Sequence, residues 1–393
     1  MSAPVGGPFA GIPLLEDLPP LGGKRVLLRV DFNVPLRRDG DDAPVEVEDD
    51  FRIRAALPTV SWLVEHGAAV TACTHLGRPK GKPDPRYDVA LVRARLDELA
   101  PGVALLDNLR FDPGEEADDP AFVARLVDGF DCYVNDAFGA SHRAHASIVG
   151  PPARLPSAAG RLLERELAML GRLLDEPARP FVAVVGGAKV ADKLGVLRAL
   201  LERVDRLVVG GGMAYTFLAA RGHSTGASLL DHDRIGDCAA LLDEAGDRIV
   251  LPRDVVVLGP GGTIDPAGGL GDVDVVGLDV PDGWEGVDMG PASVAAFAAV
   301  VAEARTVFWN GPVGAFEDPR FATGTRAVAE AVAACDGFTV VGGGDSAAAL
   351  DHMGLADRVD FISTGGGASL ELIEHGDLPG LEALRGAPNA PKA

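Results

Sequence analysis

Three features of this chain predict an α/β protein built as two doubly wound parallel-sheet domains joined by an interdomain helix. Short apolar, β-like runs alternate with helical periodicity almost from end to end. Several of those runs open directly into glycine clusters, the punctuation of strand-to-helix turns. A composition break at Val149–Pro156 is followed by one long amphipathic segment. The βαβα order calls for a mostly parallel sheet covered by helices, and 393 residues supply enough chain for two to three domains with large cores.

In the first half, Val26–Val30, Ala68–Thr74, Val103–Leu106 and Asp131–Val134 read as strands. Arg52–Glu65, Val89–Leu99 and Pro120–Val127 read as the helices between them. Pro58 falls inside the first helix and is expected to kink or shorten it, because proline lacks the N–H that bonds four residues back. After the break, Leu162, Leu163, Glu166, Leu167, Leu170, Leu173 and Leu174 form an amphipathic helix that ends before Pro177, the expected strut between the domains. The second half continues as strand Phe181–Val185, helix Lys189–Arg203, strand Arg206–Val209, and helices Met213–Arg221 and Arg234–Ala245. Strands near Ile249 and at Asp254–Leu258, helix Pro291–Glu303, strand Thr306–Trp309, helix Phe321–Ala334, strand Phe338–Val341 and helix Ser346–His352 follow. Residues 259–290 are rich in Gly, Pro and Asp and read as loops or short strands, and residues after Gly386 as a frayed tail.

A net charge of −22 and a pI near 4.7 argue against a general nucleic-acid or membrane-surface binder, since a phosphate backbone would be repelled. Cys73, Cys132, Cys238 and Cys335 are scattered, with no zinc spacing, as expected of free thiols in a reducing compartment. No apolar run approaches the ~18 residues of a membrane span, and Met1–Gly7 has no signal-peptide pattern, so a cytoplasmic protein is expected.

Against this acidic background the cations are informative. Only six lysines occur, and two of them, Lys189 and Lys193, follow the glycine pair Gly186-Gly187 at the end of a strand. Four residues apart on a helix, their ammonium groups would share a face beside exposed N–H donors, which is chemistry for phosphate. The punctuation recurs at Gly210–Gly212 and at Gly342–Gly344, and ligands of open α/β sheets bind at such strand ends. Each glycine cluster alone is equally a tight turn with no ligand. Asp345 is placed to face a phosphate-bound metal or to cap the helix near Ser346. The segment Phe308–Glu317 reads as a buried loop beside a nucleotide. In the first half, Arg52, His75, Arg78, Arg110, His142, Arg143 and His145 gather near successive strand ends, as a local anion site requires; the competing reading is unrelated surface charges. Neither G-x-x-x-x-G-K-[ST] nor a Rossmann G-x-G-x-x-G with its acidic partner is present, which weakens an NAD-dependent dehydrogenase.

The ordered set RVDFNVP (Arg29–Pro35), HLGRP (His75–Pro79), NDAFG (Asn135–Gly139), HRAHAS (His142–Ser147), GGAKVADK (Gly186–Lys193), WNGPVG (Trp309–Gly314), GGGDS (Gly342–Ser346) and STGGGASLE (Ser363–Glu371) resembles phosphoglycerate kinase. The resemblance implies an enzyme of glycolysis and gluconeogenesis that transfers a phosphoryl group reversibly from 1,3-bisphosphoglycerate to ADP, giving 3-phosphoglycerate and ATP, in line after hinge closure. It implies a monomer with small-molecule substrates and magnesium carried by the nucleotide, and no nucleic-acid or membrane partner. Residues 1–158 would bind 3-phosphoglycerate, 159–176 form the interdomain helix, 177–375 bind the magnesium nucleotide, and 376–393 pack back toward the amino-terminal domain before fraying. Carried over, Arg52 and Lys189 would be catalytic. Asp31, Phe32, Asn33, Arg52, His75, Leu76, Gly77, Arg78, Arg110 and Arg143 would bind the acceptor. Gly187, Ala188, Lys189, Lys193, Gly211, Gly212, Asn310, Pro312, Glu317, Gly343, Gly344, Asp345 and Ser346 would bind nucleotide. Within that set, Glu317 would hold the ribose, Asp345 the metal, and Gly211, Gly212, Asn310 and Pro312 the walls of the adenosine pocket.

The chain departs from the family pattern in three places. It is markedly shorter between Pro79 and Asp107, which suggests loss of a peripheral strand–helix unit; the loop Arg37–Val47 differs; and Asp107 replaces a glutamate before Asn108-Leu109-Arg110-Phe111. A catalytically silent nucleotide-binding scaffold would be expected to have lost Arg52, Lys189 or Asp345, and all three are present.

Overall fold

A computed structural model describes residues 9–38, 45–265 and 271–391. The amino-terminal stretch Met1–Gly7 and the middle of the Arg37–Val47 loop lie outside the described residues. The chain divides into two compact units, Met1–Gly171 with Gly376–Ala393, and Arg172–His375.

The first unit begins with strand β1 (Arg25–Arg29) and the hairpin β2 (Leu36–Arg38) and β3 (Val45–Val47). Helix α1 (Phe51–Glu65), β4 (Ala69–Cys73), α2 (Ala90–Leu99), β5 (Ala104–Leu105), α3 (Pro120–Val127), β6 (Cys132–Asn135), α4 (Ala146–Val149), β7 (Ser157–Ala159) and α5 (Arg161–Leu174) follow, the last three residues of α5 belonging to the second unit. The sheet runs β5-β4-β1-β6-β7, every pair parallel. Because side chains alternate across a strand, Val26 and Leu28 enter the core that also holds Ile53, Val60 and Leu63 of α1, while Leu27 enters the opposite core with Phe122 and Val123 of α3. Pro58 does not shorten α1, which runs unbroken from Phe51 to Glu65. Ile53, Ala56, Val60 and Leu63 are buried on both sides of the proline, so packing holds the helix through the missing hydrogen bond.

The second unit runs β8 (Phe181–Val185), α6 (Leu194–Leu201), β9 (Arg206–Val209), α7 (Ala214–Ala220), α8 (Ile235–Ala245), β10 (Ile249–Val250), β11 (Val255–Leu258), β12 (Val273–Val276), β13 (Glu285–Met289), α9 (Pro291–Ala302), β14 (Thr306–Asn310), α10 (Thr323–Ala333), β15 (Phe338–Gly342), α11 (Gly344–His352), β16 (Phe361–Ile362) and α12 (Gly366–His375). A parallel sheet of order β10-β9-β8-β14-β15-β16 carries a smaller antiparallel sheet, β12-β11-β13. All five residues of β8 are buried, as a central strand covered on both faces requires.

A last helix, α13 (Pro379–Arg385), belongs to the first unit. The tail does not fray at Gly386. The Asn389 side chain accepts the Ser157 N–H at 2.8 Å and donates to the carbonyls of Ser157 and Asp17 at 3.0 and 3.2 Å, a set of bonds that the composition of the tail does not reveal.

Candidate active site

Both sheets reverse their winding at a single point. In the first unit the chain steps from β1 outward to β4 and β5, then returns to β6 and β7 on the other side of β1. In the second it steps from β8 to β9 and β10, then returns to β14, β15 and β16. A crevice forms where strand order reverses, outside the carboxyl ends of the strands, here beyond β1 and β6 and beyond β8 and β14. The residues singled out by sequence cluster at these two places.

In the second unit a cavity of about 490 Å³ is lined by Gly187, Ala188, Lys189, Asp192, Lys193, Asn310, Gly311, Pro312, Gly343, Asp345 and Ser346. A second, of about 250 Å³, shares Gly187, Ala188, Pro312 and Asp345 with it. Gly211, Gly212, Tyr215, Leu229, Ile264, Glu285, Asp288 and Glu317 also line this second cavity. The two together therefore hold every nucleotide residue expected from the sequence except Gly344, the first residue of α11, and Asn310 walls the first cavity instead of the second.

The helix predicted over Lys189–Arg203 is a correction. Lys189 lies in no helix, residues Ala191–Lys193 form a 3-10 turn, and α6 starts only at Leu194, so the two lysines do not share a helix face. Asp231 Oδ2 accepts the N–H groups of Val190 and Ala191 at 2.9 and 3.1 Å and caps the 3-10 turn that precedes α6. Lys193 instead folds back, and its ammonium donates to Gly186 O at 2.7 Å and to Asn310 Oδ1 at 3.0 Å. Burial lowers its pKa to about 8, against the pull of Asp345 and Asp192. Lys189 is exposed and forms no ion pair among the described residues.

Gly311 holds this arrangement open. Its φ is +94°, and a Cβ there would stand 2.4 Å from Gly186 O and 3.1 Å from Lys193 Nζ. Phe308–Asn310 are the end of β14 and not loop, with Trp309 fully buried and its indole N–H donating to Gly311 O at 2.8 Å. Asp345 is not the cap of α11: Gly343 takes that position and Asp345 lies in the first turn. Two carboxylates, Asp345 and Asp192, reach the first cavity, and among the described residues no group of three potential ligands occurs. That donor set suits an oxygen-seeking cation that arrives with most of its ligands on phosphate and water, as magnesium does.

In the first unit the loop after β1 and the first turn of α1 meet. Asp31 Oδ2 accepts from Arg52 Nη1 at 2.5 Å, and Asp31 Oδ1 accepts the Asn33 N–H at 3.3 Å. Burial works to raise the Asp31 pKa, but the charges facing it, Arg52 foremost, outweigh that and hold the carboxyl below its ordinary value. Arg52 is the second residue of α1, at whose start Asp49 Oδ1 accepts the Phe51 N–H at 2.8 Å. Asn33 Oδ1 accepts the Gly77 N–H at 2.8 Å, and Gly77 O accepts from Arg110 at 2.6 Å. Arg110 also pairs with Glu116 at 3.2 Å. Among the described residues Arg78 and Arg143 form no ion pair with an acid; Arg143 Nε donates to His142 at 3.1 Å. The side chains of Phe32 and Leu76 lie in the core, so only their main chain is left for a ligand.

His75 is nearly buried, and burial first, then the charges of Arg29, Arg110 and Arg143, hold its pKa well below the ordinary range against the pull of Asp31. His145 is lowered to about 4, by burial first and then by Arg110 and Arg143. Both rings are therefore neutral near pH 7. Three buried polar residues that pack against these positions have no role in the sequence reading: Asn108, which bonds both the N–H and the carbonyl of Leu76, Arg29 and Glu115. Arg29 opens the RVDFNVP motif and puts a charge where an alternating strand calls for an apolar residue; Glu115 has no signal, being one acid in a polar loop.

The family model for phosphoglycerate kinase matches residues 15–103 and 100–376. The chain is 51% identical to the phosphoglycerate kinase of Rubrobacter xylanophilus over 93% of its length and 96% of the relative's. It is 52% identical to that of Frankia casuarinae over 94% and 99%. Among solved structures, phosphoglycerate kinase from Coxiella burnetii superposes with a TM-score of 0.81 at 37% identity, covering 93% of this chain and 97% of that one. The enzyme from Pyrococcus horikoshii gives 0.80 at 30%, covering 95% and 98%. Two parallel sheets with ligand-type residues at both reversal points, a lysine-and-carboxylate cavity and these similarities agree, and the chain belongs to the phosphoglycerate kinase family, phosphotransferases with a carboxyl group as acceptor.

Proposed function

We propose that the chain binds 3-phosphoglycerate or 1,3-bisphosphoglycerate on its first unit and ADP or ATP with magnesium on its second, and that it works as a monomer in the cytoplasm. The observation that carries the nucleotide half is the cavity of about 490 Å³ in which Lys189, Lys193 and Asp345 meet glycine-rich main chain. Lys193, tied to Gly186 and Asn310, is held ready for phosphate oxygens, while unpaired Lys189 is free to follow the phosphoryl group in flight. Gly211, Gly212 and Pro312 support the base and Glu317 the ribose in the second cavity. Asp345, with Asp192 in the same cavity, would hold magnesium, which when bound neutralises phosphate charge.

On the first unit, Arg78, Arg110 and Arg143 supply cations for carboxylate and phosphate, and Asp31 and Asn33 orient the hydroxyl end. Arg52, restrained by Asp31, faces the migrating group. An acyl phosphate is already activated, so no covalent enzyme intermediate is needed; the residues align donor and acceptor oxygens and neutralise the charge that spreads over the transferring group. Arg52 and Lys189 belong to different units, and the reading therefore requires hinge closure, which also excludes water. The four cysteines are free, three of them buried, which supports a reducing compartment, and no helix among the described residues is long and apolar enough to cross a membrane. An assay coupling ADP formation to 3-phosphoglycerate and MgATP tests the reading: turnover that requires both substrates is expected, and nicotinamide binding without transfer would overturn it.

A further inference from the structure

Beneath the acceptor residues lies a buried chain of contacts to which no role has been given above. Glu115 has no solvent exposure, and Ser147 takes up both of its carboxylate oxygens. Glu115 Oε2 accepts the Ser147 N–H at 2.9 Å, and Oε1 accepts the Ser147 hydroxyl at 2.6 Å. Ser147 Oγ in turn accepts from Arg29 Nε at 2.8 Å. The guanidinium of Arg29 is equally buried; its Nη1 donates to the Val30 carbonyl, and its Nη2 stands 4.0 Å from Glu115 Oε1. That same Nη2 lies 3.2 Å from His75 Nδ1.

A guanidinium offers donors only and does not lose a proton in a protein, so His75 Nδ1 is the acceptor in this contact. The other group beside that nitrogen, Asp31 Oδ1, is 4.0 Å away, beyond hydrogen-bond reach. A ring that accepts at Nδ1 carries its proton on Nε2 and is neutral. Nε2 has no protein partner among the described residues. We infer that Glu115, Ser147 and Arg29 form a positioning relay that locks His75 as the neutral, Nε2-protonated tautomer, so that it offers the acceptor substrate a hydrogen-bond donor in place of a charge.

The charges around the ring fit this assignment. Arg29 from β1, Arg110 from the turn after β5 and Arg143 from the turn after β6 face His75, against one anion, Asp31. A fourth cation would be repelled, whereas a fixed N–H adds direction to a site already rich in charge. The tautomer follows from the contacts alone; its use toward substrate rests on the acceptor-site reading above.

The test is a long-range ¹H–¹⁵N imidazole spectrum of the full chain, with His75 assigned by the cross-peaks lost in His75→Asn. A protonated Nε2 and bare Nδ1, unchanged between about pH 6 and about pH 8, are expected in the wild type. Glu115→Gln and Ser147→Ala should give mixed tautomers and raise the KM for 3-phosphoglycerate about tenfold, the loss of a hydrogen bond to a charged group, with the KM for MgATP unchanged. A wild-type His75 protonated on Nδ1, or as imidazolium, would overturn the inference, and so would an unaltered tautomer in both variants. If Glu115→Gln does not fold, Ser147→Ala, which removes only a hydroxyl, carries the test. The spectrum needs no turnover, so an intact tautomer in an inactive protein would count against the acceptor-site reading alone.

Discussion

Lys189 and Lys193 lie in one cavity with opposite situations, one exposed and unpaired, the other half-buried and tied to Gly186 and Asn310. If Lys189 and Arg52 act on the transition state, either alanine variant should lower kcat about a hundredfold, the scale of losing one preorganised electrostatic donor. Both Michaelis constants should change much less. Single variants with near-normal kcat, shown folded by circular dichroism, would refute those roles; a double variant that loses less than the product of the single losses would support coupling by closure. Lys193 predicts a pH effect. Its pKa of about 8 lies below the ordinary lysine value, so the ammonium is present below about pH 8 and lost above it. In the free enzyme, kcat/KM for MgATP should therefore fall as the pH rises through about 8, and a flat profile to pH 9.5 would count against Lys193 as the phosphate anchor. Asp345→Asn, which removes the carboxylate proposed to hold magnesium, should weaken MgATP binding in calorimetry and leave 3-phosphoglycerate binding intact; equal losses would make it a structural residue.

The turns between strand and helix decide where these side chains stand. Gly311→Ala would force a Cβ at φ +94° to within 2.4 Å of Gly186 O. It should destabilise the second unit by about 1–3 kcal/mol and raise the KM for MgATP, readable from a urea transition and initial rates. Asp231 restrains the segment that carries Lys189 through Val190 and Ala191. Asp231→Ala should cost about 1 kcal/mol, as for a lost cap. The edge strands β7 and β16, of three and two residues, are too short to show a period, but most strands and helices of the main sheets were legible because their period and their glycine punctuation are local. α12 and α13 were not, since Leu372, Ile373, Leu381 and Leu384 form short apolar sets whose burial depends on distant partners. The 3-10 turn before α6 was read as helix; the carboxylate that caps it comes from forty residues downstream, which local pattern does not show.

Buried acids tie the stability of the molecule to pH. Burial raises Asp136 and Asp288 to about 6 from an ordinary 3.8. A raised carboxyl stabilises the fold fully below its unfolded value and loses that contribution as pH rises through the folded one. Relative to wild type, an Asp136→Asn, Asp288→Asn variant should therefore gain in Tm as the pH rises from about 4 through about 6 and level off above it; a pH-independent difference would mean that neither group titrates near 6. The cations proposed to hold the acceptor sit in a chain of net charge −22, so small anions should compete there while repulsion elsewhere limits other contacts. Sulfate at constant ionic strength should raise the KM for 3-phosphoglycerate, and no change would mark Arg78, Arg110 and Arg143 as scattered charges.

Much was written in the order of residues alone: two α/β units, the anionic class of ligand, and a set of motif residues of which all but Gly344 line the two cavities of the second unit, although most of the second cavity's wall was not named. Geometry added what depends on neighbours remote in sequence. Strand order β10-β9-β8-β14-β15-β16 puts the ends of β8 and β14 side by side and so joins Gly187 to Asn310 across more than a hundred residues. In the first unit the order β5-β4-β1-β6-β7 puts β1 at the centre, where Arg29 is buried against Glu115, Ser147 and His75, four polar residues from four separate segments. Periodicity reports which face of its own element a residue occupies; which charge it meets there depends on how the strands are ordered in the sheet.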